Sequence, residues 1–189
     1  MTKLIILDRD GVINKDRDDF VKSAEEWIPL PKSADAIAFL NQAGYTIAVA
    51  SNQSGLGRGL FDIAALHQMH AKMYRVVGQA GGNIAGVWFC PHTPDDNCRC
   101  RKPNTGMIED ILQRFNADAC DTYLVGDSLR DLQAIATMGG KPVLVLTGKG
   151  KKTLEQRPSE LPENTQVFDD LWDFAQELTA DDEQNNVIA

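Results

Sequence analysis

The chain has 189 residues, 43% of them hydrophobic, and a formal net charge of −8. That length suits one domain with its own core, burying roughly 70% of the unfolded surface, and the acidic balance argues against a general binder of nucleic acid or of an anionic membrane. No apolar run approaches the ~20 residues of a membrane span and the N-terminal apolar stretch is too short for a secretory signal, so a cytoplasmic protein is expected.

The first element is Leu4-Ile5-Ile6-Leu7, a continuous apolar run that reads as a strand buried on both faces. It runs into Asp8-Arg9-Asp10-Gly11. Asp8 then sits at the C-terminal end of a strand, where open α/β sheets place their ligands. On an extended backbone Asp8 and Asp10 project to one side, and two carboxylates that close call for a hard divalent cation. The competing reading is an ordinary surface turn, for which Asp and Gly are common residues. Residues 12–30 hold no long periodic element. The charge run Lys15–Asp19, followed by Phe20-Val21 and Glu26-Trp27-Ile28-Pro29, reads as a flap or substrate loop with a short extended piece. Asp16 and Asp19 are candidate substrate contacts by position alone.

Pro31 opens a helix with Ala34, Ile37, Ala38 and Leu40 at helical spacing and Gly44 as its stop. Thr46–Ser51 is a second buried strand, ending in Ser51-Asn52-Gln53-Ser54-Gly55 with Gly57-Arg58-Gly59 close behind. A hydroxyl and backbone N–H groups gathered at a strand end suit a phosphate. Asp62 caps a helix over about residues 63–80. His67 and His70 lie on it without a third metal ligand and read as solvated or packed. Gly86–Cys90 is a third apolar run, leading into a cysteine cluster. An amphipathic helix over 105–116 presents Met107, Ile108, Ile111, Leu112 and Phe115 on one face. Thr122–Asp127 is a fourth strand, again ending in an acid, and Ser128 begins a helix carrying Leu132, Ile135, Ala136 and Met138. Pro142–Gly148 is a fifth strand, and Lys149-Gly150-Lys151-Lys152 reads as a solvated basic loop. A short strand (Gln166–Phe168) and a helix close a single domain over 1–178, and the polar, acidic residues 179–189 read as a disordered tail. Strands alternating with helices predict an α/β, Rossmann-like parallel sheet flanked by helices, with Asp8, Ser51 and Asp127 meeting on one edge.

Asp8, Asp127 and the backbone carbonyl of Asp10 form an oxygen-only ligand set that suits Mg²⁺ better than zinc. A carboxylate on Mg²⁺ facing a phosphate can act as nucleophile and form an aspartyl-phosphate. Ser51 and a lysine, for which Lys102 is the natural choice, can bind the equatorial oxygens. Asp10 is placed to protonate the leaving oxygen and later to deprotonate water, which requires it to be protonated when substrate binds and turned away from the metal. Cys90, His92, Cys98 and Cys100 lie within eleven residues, and three thiolates with one imidazole match a closed, structural zinc shell. Such a site (the loop 90–100) would pin a segment without a core of its own and so fix Arg101 and Lys102. Cys120 stands apart and reads as a buried small residue.

Asp8-Arg9-Asp10-Gly11, Ser51-Asn52-Gln53, Lys102, and Gly126-Asp127 with Asp131 resemble, in order, the four motifs of the haloacid dehalogenase superfamily of phosphatases. The zinc loop ending in Cys100-Arg101-Lys102-Pro103 resembles the subfamily that contains heptose 1,7-bisphosphate 7-phosphatases and histidinol-phosphate phosphatases. The resemblance implies a capless phosphatase, with Asp8 as nucleophile, Asp10 as proton donor and base, and Ser51 and Lys102 on the phosphoryl group. It implies Mg²⁺ on Asp8, Asp10 and Asp127, and zinc on the Cys90, His92, Cys98 and Cys100 set. Asn52, Arg58, Arg101 and Ser128 would lie near substrate. Asn52-Gln53-Ser54-Gly55 with Gly57-Arg58-Gly59 resembles the heptose enzymes, with Arg58 gripping a second phosphate. The implied substrate is then a small phosphorylated sugar, handled by a monomer, with its product feeding ADP-heptose for lipopolysaccharide. The alternative substrate is histidinol phosphate. A phospho-accepting receiver is an alternative of another class, against which Asp10 argues as a second acid placed to activate water. A zinc-stabilised binding module is another, and it would not need Ser51, Lys102 and Asp127 at their strand ends.

Overall fold

The computed structural model describes residues 2–188, those after Asp182 by their backbone alone. Six strands, β1 (Leu4–Leu7), β2 (Thr46–Asn52), β3 (Gly86–Cys90), β4 (Tyr123–Gly126), β5 (Lys141–Val145) and β6 (Gln166–Phe168), form one sheet in the order β3-β2-β1-β4-β5-β6. Every pairing is parallel. The helices are α1 (Ser33–Gln42), α2 (Ser54–Gly57), α3 (Ile63–Gln79), α4 (Gly106–Phe115), α5 (Leu129–Thr137), α6 (Gly150–Gln156) and α7 (Leu171–Ile188).

The unbroken apolar run of β1 follows from its central place. Ile5 and Leu7 point to one face, packing with Ile37 and Leu40 of α1, Leu66 and Met69 of α3 and Phe174 of α7. Leu4 and Ile6 point to the other, against Met107, Ile108 and Ile111 of α4 and Ile135 of α5. All four β1 side chains are fully buried, each contributing about 1.5–3 kcal/mol. The strand order turns back at β1, whose neighbours are β2 on one side and β4 on the other. This is the switch point at which doubly wound sheets open a crevice beyond the strand ends.

The segment after β1 is the expected flap, and it is tied down. Lys15 donates its N–H to Ile28 and Leu30 to Ile13, closing the neck of the loop. Trp27 is fully buried. Lys72 of α3 donates to the carbonyls of Ala24 and Trp27, 2.7 Å each. Asp62 caps α3 as expected, accepting from the Ala65 N–H.

Three expectations need correction. The basic stretch after β5 leads into α6 rather than staying a loop, while Lys149, Lys151 and Lys152 are exposed as expected. Cys120 is exposed, because it falls in a surface turn, Ala119–Asp121, ahead of β4. The last helix runs past residue 178: Thr179 is buried and Asp182 meets Lys3 at 2.7 Å and the Tyr45 hydroxyl at 2.9 Å. The side chains of the remaining tail, 183–189, lie outside the described residues. Among the described residues no helix is long and apolar enough to cross a membrane.

Candidate active site

Asp8 follows β1 directly, and its N–H still bonds the Val125 carbonyl of β4 at 2.9 Å. Its carboxylate therefore opens into the crevice between β1 and β4. Asp127 follows β4, and Ser51 lies at the end of β2. Asp8 and Asp127 line a cavity of about 270 Å³; Ser51 lies buried behind its wall, at the side of Gln53. The flap contributes Asp16, Arg17, Asp18, Phe20 and Val21 to its wall, and other segments contribute Arg58, Arg101, Arg130 and Lys149.

Lys102 is the cationic centre. It is 1% exposed, and its ammonium lies 3.0 Å from Asp8 Oδ1 and 2.7 Å from Asp131 Oδ1. Burial works against its charge, but the two acids prevail and hold its pKa above the usual lysine value. Burial likewise disfavours ionised Asp131, yet Lys102 and Arg130 keep its carboxyl below the ordinary range. Asp8 goes the other way: burial, opposed by Lys102 and reinforced by Asp131 and Asp10, pushes it up to about 6. Burial and the charges of Asp8 and Asp131 push Asp127 well above a normal carboxylate. Carboxylate oxygens of Asp8, Asp127 and Asp131 lie within 4.8 Å of one another. Two such acids with raised pKa, side by side, fit a divalent cation, whose charge would reverse their shifts. Asp131 was visible in the sequence only as a motif residue. Here it shares Lys102 with Asp8 and accepts from the Ser128 N–H and hydroxyl.

Asp127 is held in a glycine cradle. Gly11 and Gly148 both have positive φ, +86° and +55°, and a Cβ on either would come within 2.0 or 2.2 Å of Asp127 Oδ2. The same oxygen accepts the Lys149 N–H at 2.8 Å. Lys149 also reaches Asp16 of the flap at 2.9 Å. The site thus extends to the loop after β5, which the sequence reading left in solvent.

Asp10 sits among donors that favour its ionised form, whereas its protonated form is expected when substrate binds. Its carboxylate accepts from Arg9 Nη2 (2.9 and 3.0 Å), Asn14 Nδ2 (2.8 Å) and Gln53 Nε2 (2.8 Å). Burial favours its neutral form, but Arg9 and these donors outweigh burial and lower its pKa, so it stands ionised rather than protonated. Its backbone carbonyl remains free of the turn's hydrogen bonds, which Arg9 and Asn14 accept.

The substrate candidates separate into three groups. Arg58, Arg101 and Asp16 line the cavity. Arg101 is pulled below the usual arginine value by burial and by the charges of Arg130 and Arg58, so three guanidinium groups gather where an anion would relieve them. Asn52 and Gln53 also line the cavity but are engaged with protein: the Asn52 amide bonds the Lys102 backbone in both directions, at 3.0 and 3.1 Å. Asp19 and Ser128 lie outside the cavity. Asp19 is exposed and paired with Arg17 and Lys22, and Ser128 caps α5 in a reciprocal box with Asp131. The spacing Ser128-x-x-Asp131 carried that signal in the sequence.

Cys90, His92, Cys98 and Cys100 come together as expected. The Sγ–Sγ distances are 3.3 to 3.6 Å, and His92 Nδ1 lies 3.3 Å from Cys100 and 3.6 Å from Cys90. That is too long for a disulfide, about 2.05 Å, and close to the edge of a tetrahedron of ligands about 2.3 Å from zinc. The cluster is built into the site: the Cys90 carbonyl accepts the Gln53 N–H at 2.7 Å, and Pro91 accepts that of Gly57 at 3.0 Å. His70 packs on Phe89 and is held neutral, its pKa lowered by burial to about 4.

Residues 99–174 match the family model described as HAD-hydrolase-like. The chain is 72% identical over 174 residues to the D-glycero-beta-D-manno-heptose-1,7-bisphosphate 7-phosphatase of Neisseria meningitidis, covering 92% of this chain and 93% of that one. It is 50% identical to the same-named protein of Pseudomonas aeruginosa over 93% of this chain and 97% of the other. Among solved structures, the D,D-heptose 1,7-bisphosphate phosphatase of Bordetella bronchiseptica, complexed with magnesium and phosphate, superposes with a TM-score of 0.92. The two share 54% identity over 95% of this chain and 99% of that one.

Proposed function

We propose that this chain, which belongs to the family of D-glycero-beta-D-manno-heptose-1,7-bisphosphate 7-phosphatases within the HAD-like hydrolases, removes the 7-phosphate of that bisphosphate. The observation that carries the reading is the buried Asp8 carboxylate at the end of the central strand, paired with Lys102 and beside Asp127. The Arg58, Arg101 and Arg130 group in the same cavity would receive the second phosphate. The relatives' names support the β-anomer as substrate. The product would be a heptose 1-phosphate ready for transfer to a nucleotide.

Asp8, Asp127 and the Asp10 carbonyl would hold Mg²⁺, which offsets the repulsion between carboxylate and phosphate. Asp8 attacks the phosphorus; the bond to the sugar oxygen breaks, and Asp10 gives that oxygen a proton. Asp10 must therefore gain a proton as substrate arrives, since its present partners all donate to it. Lys102 and Ser51 stabilise the charge on the transferring group. In the second half, water attacks the aspartyl-phosphate, Asp10 takes its proton, and phosphate leaves.

Two measurements bear on this. Phosphate release with Mg²⁺ from heptose 1,7-bisphosphate and from histidinol phosphate is expected to favour the bisphosphate by at least about 100-fold in kcat/KM, with one phosphate released per molecule. A preference for histidinol phosphate would overturn the substrate while leaving the Asp8 chemistry in place. Zinc on the Cys90, His92, Cys98 and Cys100 set would cross-link the segment that carries Arg101 and Lys102. Its removal, with Mg²⁺ then restored, is expected to lower the melting temperature by about 10 °C or more and to reduce the rate. Zinc-free protein with an unchanged melting curve and full rate would end the structural role.

A further inference from the structure

Gln53 lines the cavity, and its position beside Ser51 makes it look like a group that touches substrate. Its hydrogen bonds say otherwise. The residue is 4% exposed, and all three bonds of its amide go to protein. Oε1 faces Arg9 Nη2 at 3.2 Å, while Nε2 lies 2.7 Å from Ser51 Oγ and 2.8 Å from Asp10 Oδ2. This orientation of the amide is dictated by chemistry. A guanidinium can only donate, so the atom facing Arg9 is the oxygen and the NH₂ faces Ser51 and Asp10. Arg9 is itself fully buried and so forms a fixed base for the amide.

Two consequences follow for the groups beside it. Ser51 Oγ accepts from Gln53, so its own proton is left to be donated elsewhere. Asp10 Oδ2 is fixed by the second N–H of the same NH₂ group. One amide thus sets the spacing between a phosphate-binding hydroxyl and the acid that handles the leaving-group proton. The Gln53 backbone is tied in turn to the Cys90 carbonyl at 2.7 Å, which locks the turn to β3.

We propose that Gln53, resting on Arg9, is a positioning residue that aligns Ser51 and Asp10 with each other and makes no contact of its own with the sugar. The inference rests on the phosphatase reading above. Misplacing a reacting group by about 1 Å costs on the order of 100-fold in rate. Gln53→Leu removes all three bonds with little change in side-chain volume; Gln53→Glu keeps the shape but sets an acid against Asp10.

The test is steady-state phosphate release by the wild-type chain, Gln53→Leu, Gln53→Glu, Ser51→Ala and the double variant Ser51→Ala with Gln53→Leu. For both Gln53 variants kcat is expected to fall by about 100-fold with KM changed less than about threefold. In the Ser51→Ala background, Gln53→Leu is expected to cost much less than it does alone, because part of its effect runs through Ser51. A rise in KM at unchanged kcat would make Gln53 a substrate contact, and full additivity with Ser51→Ala would make it a structural residue; either result overturns the proposal. A wild-type chain that releases no phosphate overturns the phosphatase reading instead.

Discussion

Asp8→Asn is expected to fold as the parent does and to release phosphate at least about 10⁴-fold more slowly. The substitution keeps the shape of the side chain and removes only its charge and nucleophilicity. The loss of rate follows because the neighbouring carboxylates are otherwise engaged: Asp131 with Lys102 and Ser128, Asp10 with Arg9, Asn14 and Gln53, and Asp127 with the Lys149 N–H in its glycine cradle. Stability should move in the opposite sense. Burial raises the Asp8 pKa from 3.8 to about 6. In protein stripped of divalent cations, the neutral carboxyl stabilises the fold below about pH 4, and that contribution is lost as pH rises through about 6. The parent's melting temperature should therefore decline over that interval, and the Asn variant should lack the Asp8 share of the decline. Thermal melts across pH 4–7 and phosphate release at pH 7 check both halves. An Asn variant with normal turnover would remove Asp8 as nucleophile.

Lys102→Met has the larger effect on the fold. Lysine and methionine have similar reach, so packing is nearly conserved. What disappears is the charge between two acids whose side chains are 13% and 1% exposed. Removing one partner of a buried charged group costs about 3–5 kcal/mol, because the remaining charge is left without compensation. The same ammonium is the charge closest to Asp8, and its loss should reduce kcat by about 10²–10³-fold. Urea unfolding should show a lower midpoint at unchanged slope. A Met variant as stable as the parent would show that solvent or a cation, rather than Lys102, balances Asp8 and Asp131.

Much of the site was legible because buried parallel strands announce themselves. Leu4–Leu7 and Ile47–Ala50 are apolar without interruption, and Asp8 and Asp127, which directly follow β1 and β4, face the crevice. The cluster of Cys90, His92, Cys98 and Cys100 was legible from spacing, since three thiols and an imidazole within one short loop leave few other readings. The surroundings that were not legible depend on partners from elsewhere in the chain. Asp10, expected to be protonated when substrate binds, has Arg9 folded back on it and Gln53 reaching it from the end of β2. Gln53 and Asn52 looked like substrate contacts; one is occupied by Arg9, Ser51 and Asp10, the other by the backbone of Lys102. Lys149 sat in a basic run, which is usually a solvated face. Here the turn into α6 delivers its N–H to Asp127. Ser128 was assigned to substrate, although its spacing to Asp131 already described a helix cap.

The central position of β1 has a consequence for how the protein is made. This strand leaves the ribosome ahead of the other five strands of the sheet, yet one of its edges is closed only by β4, through the pairing of Ile5 with Tyr123. A nascent chain that ends after β3 can form the β3-β2-β1 half of the sheet. It still exposes the other edge of β1, and the Leu4 and Ile6 face lacks α4 and α5. An unpaired apolar edge is a template for strands of other molecules. Closing it requires a long loop, which puts the chain in the slower class of folders. Asp8, the proposed nucleophile, is thus synthesised ahead of the other proposed catalytic residues and is among the last to be enclosed. Truncated or stalled chains should be found in aggregates rather than as soluble halves.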